Sequence, residues 1–213
     1  MIRLRSQLQC VFRRRAAFSV LATPLPPELL PPDVDPHTGL CADGFVRIGA
    51  CSTLRKGLGA YAAAPMASDF EVGRYAGEFL SLGDLLERYW GGGAESPEGY
   101  EIANKQALWI ADRQSRGVSV TGQYIFNAGK CPDTRRDVVL DAEDPAHANW
   151  TRFLNHSSRQ PNLVVAVEVR SNPTASRGTP IIRFITSQPI AAGDELLFDY
   201  ADGFELDVLD FED

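Results

Sequence analysis

The sequence predicts a mainly β domain made of several small curved sheets, with one or two helices inserted between the strands. Short apolar runs that alternate like strands recur along most of the chain, and glycine or proline residues separate them. Only one segment has the longer periodicity that is typical of a helix. The 213 residues are enough for one domain of ordinary size plus extensions, and a second full domain is not expected.

The strand predictions depend on alternating side chains, β-branched residues and nearby turn residues. The second predicted strand, for example, follows a turn that contains Gly57 and Gly59. Many short strands with few helices favour small sheets over one large parallel sheet. In chain order the predicted strands, some with a leading turn, are 45–48, 54–62, 70–78, 123–126, 138–140, 164–169 and 181–185.

One helix is predicted between residues 82 and 90. Its apolar residues repeat at the i, i+3, i+4, i+7 and i+8 spacing of an amphipathic helix. These residues are Leu82, Leu85, Leu86, Tyr89 and Trp90. A run of glycines at 91–93 ends the helix, and a polar stretch without a predicted element follows it.

The composition excludes several classes of protein. No apolar run approaches the roughly 18 residues of a membrane-spanning helix, so we expect a soluble protein. The four cysteines are scattered and form no Cys-x-x-Cys pair, which predicts neither a metal site nor a disulfide framework. From Asp194 onward the chain has nine acidic residues and no lysine or arginine, including the acidic tail 205–213. This end would attract a basic peptide and repel nucleic acid, so we expect no direct nucleic-acid binding.

The opposite end of the chain is basic. Residues 1–25 contain five arginines and no Asp or Glu. An acid-free, arginine-rich start whose apolar runs are interrupted by charge is typical of a mitochondrial or plastid transit peptide. The alternative is a basic leader or a misassigned start, with the protein in the nucleus or cytoplasm. Residues 26–44 are rich in proline, and we interpret them as a linker to the domain.

Five short motifs follow one another in a fixed order. They are Lys56-Gly57-Leu58-Gly59, Tyr75-Ala76-Gly77-Glu78, Tyr124-Ile125-Phe126, Arg152-Phe153-Leu154-Asn155-His156-Ser157 and the run from Gly193 to Tyr200. A single Gly-x-Gly motif would be weak evidence for any protein family, but the order and spacing of the five motifs together are specific. The chain resembles the SET-domain protein lysine methyltransferases over residues 45–204. This family implies a SET fold, in which the C-terminal segment is threaded like a pseudoknot.

The resemblance also implies the activity and the site. The expected reaction is methyl transfer from S-adenosylmethionine to a lysine of a histone or another protein, in a basic sequence context. Tyr200 and Tyr75 would border the lysine nitrogen, and Phe198 would occupy the position that controls how many methyl groups are added. The residues expected to bind the cofactor are Lys56, Gly57, Leu58, Gly59, Tyr124, Arg152, Asn155, His156 and Phe204.

The chemistry of methyl transfer explains why phenols and an apolar channel are needed. A lysine has an ordinary pKa near 10.4, so at neutral pH its amine is protonated and cannot accept a methyl group. A narrow apolar channel penalises the ammonium and lowers the pKa of the lysine. Tyr200 would then orient the neutral amine. Phenylalanine at Phe198 leaves room for an amine that already carries a methyl group, which predicts di- or trimethylation.

The sequence departs from the family in two places. Ser158-Arg159-Gln160-Pro161-Asn162 is one residue longer than the usual Cys-x-Pro-Asn, and the flanking zinc-binding cysteine segments are missing. The alternating acidic and apolar residues of 204–211 are then the candidate for closing the lysine channel. These departures keep a second function open, a catalytically inactive SET-like module that binds basic peptides. The oligomeric state is not predicted.

Overall fold

The computed structural model describes residues 23–51, 57–91, 97–131, 135–170 and 179–200. Several sequence predictions lie outside these residues: most of the basic leader, Lys56, Phe204 and the acidic tail 205–213. The described residues form ten strands and two α-helices. The helices are Leu82–Tyr89 (α1) and Pro97–Ser115 (α2). The strands are Val46–Ala50 (β1), Leu58–Ala62 (β2), Glu71–Arg74 (β3), Glu78–Ser81 (β4), Ile125–Lys130 (β5), Asp137–Asp141 (β6), Asn155–His156 (β7), Leu163–Arg170 (β8), Thr179–Thr186 (β9) and Leu197–Phe198 (β10).

The strands form three small sheets, as the predicted fold class requires. β1 and β2 make an antiparallel hairpin, and β4, β6 and β5 make a three-stranded antiparallel sheet in that order. The largest sheet has the order β3-β9-β8-β10-β7. A common apolar core that includes Ile48, Ile182 and Phe184 joins the sheets. The prediction of a mainly β domain of several small sheets with one or two helices is confirmed.

The C-terminal strand β10 lies between β7 and β8 and pairs in parallel with both, although it follows them in the chain. The connection from β7 to β8 forms hydrogen bonds with β10 and with Glu195, which precedes it. The Asn162 side chain accepts from the Leu197 amide and donates to the Glu195 carbonyl, each at 2.8 Å. The threaded segment therefore brings the end of the Gly193–Tyr200 motif beside Asn155 and His156.

The predicted helix is confirmed as α1, and its start is explained by a capping box. The Ser81 side chain accepts from the Asp84 amide, and the Asp84 carboxylate accepts from the Ser81 amide. Leu85 is buried against Leu80 and Val139. The polar stretch after this helix contains α2, which the sequence pattern did not predict.

One predicted strand, 70–78, is in fact two strands that belong to different sheets. β3 pairs with β9 and β4 pairs with β6, with residues 75–77 between them. Gly77 allows the chain to pass close to β6, because a Cβ at this position would lie 2.8 Å from the backbone of Asp141. Tyr75 therefore lies at the junction of two sheets and not within one strand.

The proline-rich segment packs on the domain. Leu30, Val34 and Cys41 of this segment, and Leu25 just before it, are buried in the core that the strands share. Proline excludes regular structure but does not prevent the apolar residues between the prolines from packing. The domain boundaries at residues 45 and 204 stay predictions.

Candidate active site

A cavity of about 140 Å³ lies where the two larger sheets meet. It collects side chains from the 75–77 junction, from the start of β5, from the turn before β7 and from the C-terminal segment. Its lining residues are Tyr75, Gln123, Tyr124, Ile125, Phe126, Asn127, Thr151, Arg152, Leu154, Phe198 and Tyr200. Five of these were predicted as site residues, and they come from four motifs.

Aromatic rings form much of the cavity wall. The rings of Tyr75 and Phe126 lie 5.3 Å apart, and those of Phe198 and Tyr200 lie 4.6 Å apart. Phe184 packs behind them, with its centroid 5.0 Å from that of Phe198. These tilted and edge-on arrangements are the favourable ones for aromatic pairs. This aromatic part of the wall is therefore apolar and fixed by ring packing.

The two phenols make the same kind of hydrogen bond. Tyr75 donates its hydroxyl to the Tyr124 carbonyl at 2.7 Å, and Tyr200 donates to the Leu154 carbonyl at 3.1 Å. Burial raises the pKa of Tyr75 well above its ordinary range. Tyr200 is 53% exposed, and partial desolvation of its phenol raises its pKa to about 12. Both phenols are thus protonated at neutral pH, with their protons directed at backbone carbonyls.

Arg152 supplies a buried positive charge at the cavity. Its guanidinium carbon lies 3.8 Å from the centre of the Tyr124 ring, a stacked cation–π contact. The residue is 6% exposed, and its Nε and Nη1 atoms have no hydrogen-bond partner among the residues that the structure describes. Buried donors without partners destabilise a fold, so this charge calls for an anionic or hydrogen-bond-accepting ligand.

Asn155 lies at the junction of β7, β2 and the C-terminal segment. Its Nδ2 donates to the Leu58 carbonyl at 3.3 Å and to Oε1 of Glu195 at 2.8 Å.

The two glycines of the Gly-x-Gly motif are required for different structural reasons. Gly57 has a φ of 67°, in the left-handed region, whereas a Cβ on Gly59 would lie 2.8 Å from Oε1 of Glu195.

His156 positions the backbone of the C-terminal segment. Its Nδ1 accepts from the Tyr200 amide at 3.1 Å, and its ring lies 5.0 Å from the Tyr200 ring. Because Nδ1 accepts this bond, the ring proton of a neutral imidazole belongs on Nε2. The Asp199 carboxylate lies 3.6 Å from Nδ1. His156 therefore contacts the backbone that carries the second phenol.

The predicted residues thus occupy two neighbouring parts of the motif region. Tyr75, Tyr124, Arg152, Phe198 and Tyr200 line the cavity. Leu58, Gly59 and Asn155 meet around Glu195, beside the strand that carries Phe198.

Three residues of this region were not predicted as site residues. Phe126 and Glu195 belong to motifs that the sequence shows, so the motifs could have indicated them. Phe184 lies on the predicted strand 181–185, and its sequence context carries no signal beyond an apolar strand position.

The described residues hold neither a metal cluster nor a membrane-spanning helix. No group of three or more His, Cys, Asp or Glu side chains within the described ranges is arranged to hold a metal ion. Within the same ranges, neither helix has the length and apolar character that a membrane crossing requires.

The chain is similar to solved structures of low identity. For CpSET8 from Cryptosporidium the identity is 24%, over 77% of this chain and 62% of that chain, with a TM-score of 0.47. For an autoinhibited Polycomb repressive complex 2 of Chaetomium thermophilum bound to S-adenosylmethionine the identity is 20%, over 75% of this chain and 15% of that chain, with a TM-score of 0.46. In both cases the chain spans less than two thirds of the other chain's length. No curated protein matches the sequence.

The family assignment rests on the sequence match itself. Residues 57–201, about two thirds of the chain, match the SET domain family. The match begins at the Gly-x-Gly turn and ends just after Tyr200, so it includes all the motifs apart from Lys56. The chain therefore belongs to the SET domain family.

Proposed function

We propose that this protein is an S-adenosylmethionine-dependent protein lysine N-methyltransferase. The observation that carries the proposal is the aromatic cavity with two protonated phenols, Tyr75 and Tyr200, at its wall. A basic group such as a lysine amine loses its preference for the charged form in such surroundings. The conditions for presenting a neutral amine are therefore present in this chain.

The phenols are arranged to orient that amine. Each phenol proton is engaged by a backbone carbonyl, Tyr124 for Tyr75 and Leu154 for Tyr200. The lone pairs of both phenol oxygens then remain to accept the N–H groups of a neutral amine. An amine held by its N–H groups has its own lone pair fixed in direction, and such orientation supplies much of the rate of a displacement reaction.

The residues of this chain fit the cofactor that the family implies. When bound, S-adenosylmethionine supplies the methyl group. Its amino-acid portion carries a carboxylate, which would bind the two buried donors of Arg152 that have no partner in the part of the chain that the structure describes. Asn155 and His156 would hold further polar groups of the cofactor, and the backbone from Gly57 to Gly59 would lie against it. Lys56 and Phe204 remain predicted contacts.

Phe198 supports a product with more than one methyl group. The residue is 7% exposed, and its ring is enclosed by Phe126, Phe184 and Tyr200. A tyrosine hydroxyl at this position would occupy space beside the amine. We expect the wild type to form di- or trimethyllysine and Phe198→Tyr to stop at monomethyllysine. Mass spectrometry of a methylated peptide measures this, and monomethyllysine from both proteins would contradict the role of Phe198.

The substrate we expect is a lysine of a histone or another protein in a basic sequence context. Transfer of a radiolabelled methyl group from S-adenosylmethionine to core histones and to whole-cell protein tests both the activity and the substrate. Labelled lysine in either sample supports the proposal. Cofactor binding by calorimetry without any transfer would instead support a module that binds basic peptides.

A further inference from the structure

Glu195 connects three of the motifs through one carboxylate. Its Oε1 accepts from Nδ2 of Asn155 at 2.8 Å and from the Cys51 thiol at 3.5 Å. A Cβ on Gly59 would lie 2.8 Å from the same oxygen and 3.0 Å from Nδ2 of Asn155. Because Gly59 has no side chain, there is space for the side chains of Asn155 and Glu195 to contact each other.

The backbone on both sides of Glu195 is fixed, so its carboxylate is held in place before any ligand binds. The Glu195 carbonyl accepts from the Asn162 side chain at 2.8 Å. The Leu196 amide donates to the Ala60 carbonyl at 2.8 Å, and Glu195 itself forms an isolated bridge with Tyr61. A carboxylate held in this way can dictate the orientation of the amide that it contacts.

The two partners of Asn155 determine which way its amide faces. The Glu195 carboxylate and the Leu58 carbonyl are both acceptors, so the group that faces them is the NH₂ of Asn155. The Oδ1 atom of Asn155 is turned away from these partners, and the described residues offer it no donor. It therefore presents an acceptor, which suits a ligand donor such as an ammonium or an amino group.

We propose that Glu195 is a positioning residue that holds the Asn155 amide in the orientation needed to bind the cofactor. This inference rests on the proposed function, because it assumes that S-adenosylmethionine is the ligand. The hydrogen bond to a carboxylate is charge-assisted and stronger than the bond to the Leu58 carbonyl. Without it, the amide can rotate and offer its NH₂ to the ligand.

The test is calorimetric titration of the apo protein with S-adenosylmethionine. Glu195→Met keeps the side-chain length and removes the acceptor, whereas Glu195→Gln keeps an oxygen that can accept from Asn155. We expect Glu195→Met to raise the Kd at least tenfold, or about 1.4 kcal/mol. Glu195→Gln should stay within threefold of the wild type. Glu87→Met, on the exposed side of α1, is the control for introducing methionine and should leave the Kd unchanged.

A double-mutant cycle separates positioning from a general effect on the fold. If Glu195 acts through Asn155, Glu195→Met should add less than threefold to the loss caused by Asn155→Ala. Independent, multiplying losses would overturn the proposal, as would a Kd for Glu195→Met within twofold of the wild type. In steady-state assays, Glu195→Met should raise the KM for the cofactor and change kcat by less than threefold.

The outcome for Glu195 can be told apart from the outcome for the function as a whole. A wild-type protein that does not bind S-adenosylmethionine would contradict the proposed function. Tight wild-type binding that is weakened by Asn155→Ala but not by Glu195→Met would contradict only the positioning role. Thermal melting of each variant, with an intact cooperative transition, shows that the comparison is between folded proteins.

Discussion

Two buried arginines, Arg113 and Arg152, have opposite surroundings. Arg113 is 2% exposed, and its Nη2 donates to Glu78 and lies 3.8 Å from the Asp141 carboxylate. Arg152 is 6% exposed and has no salt-bridge partner among the described residues, and its guanidinium carbon lies 3.8 Å from the centre of the Tyr124 ring and 5.6 Å from that of Phe153. Within the described part of the chain, one nitrogen of Arg113 and two of Arg152 have no hydrogen-bond partner.

We interpret Arg113 as a structural charge and propose that the charge of Arg152 pairs with a ligand. Arg113 belongs to an ionic cluster that fastens α2 to the three-stranded sheet, together with Arg88, Glu78 and Asp141. Asp141 is fully buried, and burial raises the pKa of its carboxyl. Arg152 lines the cavity, and none of the described residues that line it with Arg152 is acidic.

The cavity and the ionic cluster meet at the Tyr-Ala-Gly-Glu motif, Tyr75 to Glu78. Tyr75 contributes its phenol to the cavity, and Glu78, three residues later, accepts from Arg88 and Arg113. The break between β3 and β4 separates the two side chains. The helices α1 and α2 are thus attached directly to the strand that follows a predicted catalytic residue.

The largest expected effect on stability comes from removing the structural charge. Arg113→Ala should lower the free energy of unfolding by about 3 kcal/mol, because it leaves the buried Asp141 carboxylate and the partly buried Glu78 carboxylate with a single arginine. Urea unfolding followed by circular dichroism measures this loss. Lys105→Ala on the same helix is the matched control, since its side chain is 62% exposed, its partner Glu101 is 70% exposed, and its loss should cost less than about 1 kcal/mol. Equal losses in both variants would contradict the comparison.

The second prediction concerns the charge without a protein partner. Arg152→Met should change the free energy of unfolding of the apo protein by less than about 1 kcal/mol, because the removed charge is unpaired and methionine can fill its place. The same change should weaken S-adenosylmethionine binding by about tenfold or more, as a charge-assisted contact is lost. Denaturant unfolding and calorimetric titration of the same preparation measure the change in stability and the change in cofactor affinity. A large loss of stability with unchanged affinity would show that Arg152 is structural.

The third and smallest expected effect concerns the titration of the Tyr200 phenol. With its pKa raised to about 12, Tyr200 keeps its proton in the folded protein while an unfolded tyrosine ionises near pH 10. The folded state therefore binds more protons in this interval, and the contribution of Tyr200 to stability falls as the pH rises from 10 towards 12. The absorbance of tyrosinate at pH 10 should be the same in the wild type and in Tyr200→Phe. A smaller tyrosinate signal in the variant at that pH would contradict the shift.

The sequence motifs predicted residues that the fold brings close together. Tyr75, Arg152, Phe198 and Tyr200 were predicted from motif order, and the fold places them around one cavity. The amphipathic spacing of α1 also predicted a real helix: Leu85 is buried against Leu80 and Val139, with Leu82 and Tyr89 packed beside it, whereas Leu86 and Trp90 of the predicted face are exposed. These features are local in sequence or repeat at a fixed spacing, so they can be recognised without a structure.

Other features depend on contacts between distant residues. The α2 helix escaped prediction because polar residues make much of its interface: Gln106 donates to the Arg88 carbonyl and Arg113 bonds Glu78. Its sequence therefore lacks a clear apolar stripe. Glu195 escaped because a carboxylate before a strand usually indicates a solvated turn. Its role follows only from the approach of Asn155, 40 residues away.

The most direct test of the proposed function is methyl transfer to lysine by the wild type, Tyr200→Phe and Tyr100→Phe under single-turnover conditions. Tyr100 is 61% exposed on α2 and serves as the matched tyrosine control. We predict transfer by the wild type and by Tyr100→Phe, and a rate lower by about 10² to 10⁴ for Tyr200→Phe with cofactor binding intact. Transfer by Tyr200→Phe at the wild-type rate, or no transfer by the wild type to any lysine, would contradict the account.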